Sequence, residues 1–459
     1  MSVAIGPIAQ ALLSSISSTD EVLGYCWPLS ASPGHSIDFF ISAPHSYILD
    51  YVRLSDLDEN GSGAPLLSRG KQGALVQPVY NNAWRDGCGW EATSQLIVPA
   101  DWTSGLYAAR LTSTDSTNAQ PTFVVFVVKP KDTMRGDYLI LAHTLTWNAY
   151  NDWGGSSRYT NSGNVFWLSF MRPNPMASPL WRDIHLLPAE SWVLKWMQGE
   201  GHHVDVVTDH DFHLGIPMLD QYAGIILNTH PEYWTQMMFD RLMQYLNAGG
   251  CVVYLGGNGI FERVQLDASG QRLIFHGGIT TPDSNRAAQY FRNLNPPQPE
   301  RELLGVAFLY DNYLSTPAPY AVLLPNHRFF KGTGVVFLSK IGENGRSGGA
   351  SGREMDSSRG SDAPPGFIVN ASINYIQPGS DRGFPPSNLQ VLARGCNNRF
   401  LNEGPHAAEM TYYDTQAGGF VFSVGSMTFG GSLVEDATLQ KIVNNVLRDC
   451  IRVRNARLS

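Results

Sequence analysis

AGIILNTHPEYWTQMMFDRLMQYLNAGGCVVYLGGNG, residues 223–259, is the stretch whose reading decides the fold. GIILN and CVVYL are short apolar runs of the kind buried strands show. Between them the spacing predicts a helix, with Pro231 just inside its start and Gly249 past its end. Strand, helix, strand in this order is a βαβ unit, whose strands lie parallel and covered on both faces. On this reading Glu232 falls in the first helical turn, where the helix dipole favours its charged form.

Working outward, DYLILAHT (137–144) and HVDVVTD (203–209) read as further buried strands. PAESWVLKWMQGEG (188–201) reads as a helix with Trp192, Val193, Trp196 and Met197 on one face. The expected fold class is therefore α/β, a parallel sheet flanked by helices, over residues 137–459. SIDFFISAP, SYILDYVRLSD, SQLIVP, GLYAARLTS and TFVVFVVKP, between residues 22 and 130, are short β-prone runs separated by turn residues. They predict an N-terminal, Ig-like β-sandwich domain over 1–130, joined through the polar run KPKDTMRGD (129–137). Further on come a long Gly/Ser-rich loop (343–366), a hairpin (408–426) and a closing helix with Leu439, Ile442, Val443, Val446 and Leu447 at helical spacing.

At 459 residues two or three domains are expected, and 43% hydrophobic with 16% charged residues is a globular composition. The net charge of −8 argues against nucleic acid or an anionic membrane as partner. Five scattered cysteines without a CxxC pair suit a reducing compartment. MSVAIGPIAQALLSS has no basic start and no sustained apolar run, and no stretch is long and apolar enough to span a membrane. The expectation is a soluble, cytoplasmic protein.

Ligands of open α/β sheets bind beyond the carboxyl ends of the strands. Four segments reach that edge: the loop with Tyr150, TDHDFH (208–213), His230-Pro231-Glu232 and Gly256-Gly257-Asn258-Gly259. Glu232 could ligate a metal or act as a base; the plainer reading is that it complements the helix dipole while His230 packs. TDHDFH matches no zinc spacing, and Thr or Asp before a helix is commonly a cap. GGNG lacks the lysine of a phosphate loop and reads as a glycine turn, or as a side-chain amide that orients a substrate. Cys251 begins its strand, where a thiol is buried and inert, so a Cys-His-Glu triad is set aside. No GxSxG motif occurs.

SGLYAARL, TWNAYNDWGG, VDVVTDHDFH, NTHPEYW, VVYLGGNGIFERV and AEMTYYDT…GGFVFSVGSMTF resemble, in order, segments of the N,N-dimethylformamidase large (β) subunit family. The resemblance implies a glutamine-amidotransferase-like core carrying a mononuclear iron, Fe(III), held by two tyrosines and one glutamate. Carried over, these ligands fall on Tyr107, Tyr150 and Glu232, with His230 and Asn258 beside the metal and a further glutamate at Glu354. Tyr107 also has a packing reading, since tyrosine is common in strands. Phenolate and carboxylate are hard donors suited to such an ion, which would polarise an amide carbonyl and activate water. Against the resemblance, FHGGIT stands where a lysine is expected, and a chain of this length is expected to lack the lectin-like domain of that large subunit. The implied function is hydrolysis of the C–N bond of a small, formamide-like amide, with His230 or Glu354 shuttling the proton and Asn258 holding the substrate. A homo-oligomer and a small accessory subunit are both compatible with this. The alternative is a ligand-binding or assembly protein without catalysis on the same scaffold.

Overall fold

A computed structural model describes residues 21–115, 120–131, 135–160, 165–181, 185–276, 289–308, 316–358, 383–397 and 407–459. Of the Gly/Ser-rich loop, residues 359–366 lie outside these. In the N-terminal region, strands β1 (Leu23–Trp27), β3 (Ser36–Ser42) and β6 (Ser94–Ile97) form one antiparallel sheet. A second sheet runs in the order β2 (Ser30–Ala31), β8 (Thr122–Val128), β7 (Gly105–Ser113), β4 (Tyr47–Arg53), β5 (Leu67–Gln72).

Strand β7 is buried on both faces. Because alternate side chains leave a strand on opposite sides, its residues divide between two cores. Tyr107, Ala109 and Leu111 join Phe39, Tyr51, Val124 and Phe126 in the core shared by the two N-terminal sheets. Leu106 and Ala108 join Ile140, Val206 and Val253 in the core of the sheet that follows.

That following sheet has nine strands. They run in the order β11 (Val204–Thr208), β9 (Tyr138–Ala142), β12 (Gly224–Thr229), β14 (Cys251–Gly256), β23 (Phe420–Ser423), β22 (Glu409–Asp414), β21 (Gln390–Gly395), β18 (Tyr320–Val322) and β19 (Lys340–Ile341). The expected parallel, amidotransferase-like α/β sheet is not what forms. Pairing is parallel from β11 to β23 and antiparallel from β23 to β19. The hairpin β22–β23 explains the switch. Its inner strand continues the parallel set, and a tight turn forces its outer strand to run the other way. With the further sheets β10 (Trp167–Ser169), β16 (Arg272–Ile274), β15 (Glu262–Leu266), β13 (Tyr233–Thr235) and the pair β17 (Ala307–Phe308) with β20 (Asp356–Ser357), the chain is a mixed, β-rich fold.

A second correction concerns Glu232. The aromatic run Tyr233–Thr235 is a strand paired in parallel with Glu262–Val264, and the helix begins only at Gln236. Thr235 caps it, its side chain accepting from the Met238 N–H. Glu232 thus lies in a loop between two strands, and the dipole argument for it does not apply. TDHDFH is a capped turn of helix: Thr208 and Asp211 form a reciprocal capping box, and Asp211 also meets Lys129 Nζ at 2.6 Å. All five cysteines are free thiols, with Cys251 fully buried. No helix of the described residues is long and apolar enough to cross a membrane.

Candidate active site

The loops leaving β12 and β14 lie side by side and are pinned together by their backbones. Gly257 N–H donates to Thr229 O (3.1 Å), Ile260 N–H to Pro231 O (2.8 Å) and Phe261 N–H to Glu232 O (3.0 Å). This register presents His230, Glu232 and Asn258 to one place. Glu354, just ahead of β20, reaches the same place: its Oε2 lies 2.9 Å from His230 Nε2 and accepts from Asn258 Nδ2 at 2.8 Å. His230 Nε2 is also 3.3 Å from Glu232 Oε2. All four side chains are buried.

Backbone strain concentrates here. Among the described residues, six non-glycine positions have positive φ, and five of them border this cluster: Thr229 (63°), Asn258 (49°), Ile260 (53°), Arg353 (45°) and Glu354 (41°). A β-branched residue such as Thr229 or Ile260 adopts this region only when its surroundings impose it, and such strain gathers at functional sites.

Tyr150 ends the helix Thr144–Tyr150, and its hydroxyl donates to Glu232 Oε2 at 2.9 Å. The sequence reading missed Tyr159. Its hydroxyl lies 2.9 Å from both oxygens of Glu232 and 2.6 Å from the Tyr233 hydroxyl, and its ring is 4.5 Å from that of Tyr150. The neighbouring Arg158 fixes it there. Arg158 N–H donates to Ala149 O at 2.8 Å, which folds the loop back on the helix, and its buried guanidinium meets Glu262 at 2.5 Å. His185, also missed, is buried with its ring edge-on to Tyr150 at 4.6 Å and 5.8 Å from His230.

Tyr107 does not join this cluster. Its ring stacks on Trp102 at 4.8 Å, and its hydroxyl donates to Thr103 O at 2.8 Å. The alternation of β7 turns this side chain, expected as a ligand, into the N-terminal core, apart from the other residues of that set. The structure brings Tyr150, Glu232, His230, Asn258 and Glu354 together, with Tyr159 as a second phenol beside Glu232.

The electrostatics of the cluster divide in two. Burial, with the Glu232 and Glu354 charges beside it, raises the Tyr150 phenol well above its ordinary value, so it stays protonated and donates a hydrogen bond to Glu232. Burial opposes charge on His230 and Glu354 alike, yet their mutual attraction prevails. The His230 imidazole is raised and the Glu354 carboxyl lowered, the pattern of an ion pair, with Asn258 also favouring the carboxylate. Asn258 Oδ1 is buried and has no hydrogen-bond partner among the described residues.

Among the described residues no three His, Cys, Asp or Glu side chains are arranged to hold a metal ion. Two phenols and a carboxylate are a different, all-oxygen donor set, with both tyrosine hydroxyls 2.9 Å from Glu232, and hard donors of this kind suit a hard cation.

Residues 57–443 match a family described as N,N-dimethylformamidase beta subunit-like, C-terminal. The chain is similar to the N,N-dimethylformamidase beta subunit of an Alcaligenes species, at 25% identity over 80% of this chain and 55% of the relative. The same-named subunit of Paracoccus aminophilus is 24% identical over 79% and 54%. The chain thus spans about half the length of the curated relatives it matches. Among solved structures, a cold-adapted β-galactosidase from Rahnella sp. R3 aligns over 70% of this chain and 32% of its own, at 12% identity and a TM-score of 0.33. A ThuA-like protein from Bacteroides uniformis aligns over 68% and 90%, at 14% identity and a TM-score of 0.32. At such scores neither carries an argument about fold or function. With most of its length inside the matched region, the chain belongs to the N,N-dimethylformamidase beta subunit-like family.

Proposed function

We propose that this chain hydrolyses the C–N bond of a small amide at the cluster of Tyr150, Tyr159, His230, Glu232, Asn258 and Glu354. The observation that carries the reading is the convergence of two phenols and one carboxylate, with an imidazole–carboxylate pair directly beside them. Tyr150, Tyr159 and Glu232 would hold a ferric ion. Bound there, such an ion polarises the amide carbonyl and lowers the pKa of water.

The rest belongs to the chain's own side chains. Glu354, held as a carboxylate, takes a proton from the attacking water. His230, held as an imidazolium, gives its proton to the leaving amine nitrogen, and the proton on Glu354 then returns the imidazole to its starting state. Each turnover consumes one water and releases an acid and an amine. Asn258 Oδ1 accepts an N–H from the substrate or from the departing amine. The names of the curated relatives support the amide as substrate class, and the tyrosine–glutamate set supports a hard metal.

The test is Glu232→Ala in the full chain, assayed for bound iron and for amine release from a panel of small amides. Loss of both is expected. A variant that keeps the iron and the turnover of the native chain overturns the reading. A native chain that binds neither iron nor any amide of the panel favours an assembly role instead.

A further inference from the structure

The glycine pair of the GGNG turn has a role that its sequence did not disclose. Neither Gly256 nor Gly257 has positive φ, so neither is needed for an unusual backbone conformation. Both are needed for space. A Cβ on Gly256 would lie 2.6 Å from Thr229 O, on the loop that carries His230 and Glu232. A Cβ on Gly257 would lie 2.2 Å from Glu354 O and 2.9 Å from Met427 N, in backbone that cannot simply rotate away. Two consecutive glycines thus receive two different loops, one on each side of the end of β14.

We propose that Gly257 is a positioning residue for the Glu354–His230 pair: its bare backbone lets the Glu354 loop close onto the end of β14. Three contacts describe the closed arrangement. Asn258 N–H donates to Asp356 Oδ1 at 2.8 Å, Tyr254 hydroxyl donates to Asp356 Oδ2 at 2.7 Å, and Asn258 Nδ2 donates to Glu354 Oε2 at 2.8 Å. Arg353 and Glu354 are held at positive φ, so the loop stays closed against its own backbone preference. A side chain on Gly257 would push this loop outward and take Glu354 away from His230. The Tyr150–Tyr159–Glu232 set, which meets the other loop, would be left in place.

The kinetic part of this inference rests on the amide-hydrolase reading; its structural part does not. Gly257→Ala, Glu354→Gln and the double variant of the full chain are compared with the native protein. Gly257→Ala is expected to lower kcat about 100-fold, the cost of misplacing a catalytic group by roughly 1 Å, with KM and iron content unchanged. In the Glu354→Gln background the same substitution is expected to add less than about threefold, because both changes act through one contact. If Gly257→Ala does not fold, Asp356→Ala removes the tie between loop and strand end without adding bulk, and it should give the same kinetic pattern. Native kcat in a folded variant, or effects that multiply in the double variant, overturn the proposal. If the native chain turns over no amide, the crystal structure of the variant decides. A Glu354–His230 separation beyond hydrogen-bond reach supports the role of Gly257, and an unchanged 2.9 Å contact overturns it.

Discussion

Two buried groups of acid and imidazole side chains lie at the same edge of the nine-stranded sheet, and they differ instructively. Beyond β9 and β11, His143 lies 3.6 Å from Asp209, and Glu190 accepts from Trp147 Nε1 at 2.7 Å. Among the described residues both ring nitrogens of His143 lack a hydrogen-bond partner, and burial pushes the Glu190 carboxyl up to about 7. Beyond β12 and β14, His230 and Glu354 meet at 2.9 Å and shift in the directions of a charged pair. Of the positive-φ residues at these two places, Thr229, Asn258, Ile260, Arg353 and Glu354 border the second. Residue type at a strand end therefore does not make a site. Close pairing and imposed backbone geometry set the second cluster apart, and the first behaves as desolvated core.

Glu232→Ala should abolish bound iron and amine release, the largest effect expected anywhere in the chain. Next come two tyrosines of opposite fate. Tyr159→Phe should reduce turnover at least about 100-fold with little change in thermal midpoint, since Tyr159 is 40% exposed. Tyr107→Phe should keep turnover and cost about 1 kcal/mol in denaturant unfolding, from the lost bond to Thr103. Equal kinetic losses in the two variants would erase the distinction drawn between them.

The last effect, on stability alone, concerns Glu190. Its folded pKa, about 7, stands above the ordinary carboxyl value of 4.5. Between those pH values the native state keeps a proton that the unfolded chain has released, so this residue's contribution to stability falls as pH rises through the window. Glu190→Gln should therefore match the native protein near pH 4.5 and exceed its stability by about 1–3 kcal/mol at pH 8. Denaturant melts at the two pH values measure the difference, and a variant less stable at pH 8 would show Glu190 to be a paired charge instead.

Much of the site was legible in sequence because it follows from chain order. Strands formed within the runs read as such, at YLILA, VDVVT, GIILNT and CVVYLG, so Tyr150, His230 and Asn258 reached one edge. What failed depended on contacts remote in sequence. Tyr159 is held by the pairing of Arg158 with Glu262, 104 positions away, and its one local signal was membership of the aromatic loop TWNAYNDWGGSSRYTN. Pro231 mimicked a helix start, yet Tyr233–Thr235 found a parallel strand partner in Glu262–Val264, which outweighed the local signal. The antiparallel half of the large sheet follows from a hairpin that was itself recognised, but whose place beside β14 no local pattern encodes.

The proposed chemistry requires Tyr150, Tyr159 and Glu232 to hold one hard cation. Ferric iron titrated into the metal-free full chain, followed by visible absorption in the native protein, Tyr159→Phe and Tyr107→Phe, tests this most directly. A phenolate-to-iron band is expected to saturate near one equivalent in the native protein and in Tyr107→Phe, and to be weakened or shifted in Tyr159→Phe. A colourless titration throughout, or a band lost only in Tyr107→Phe, would contradict it.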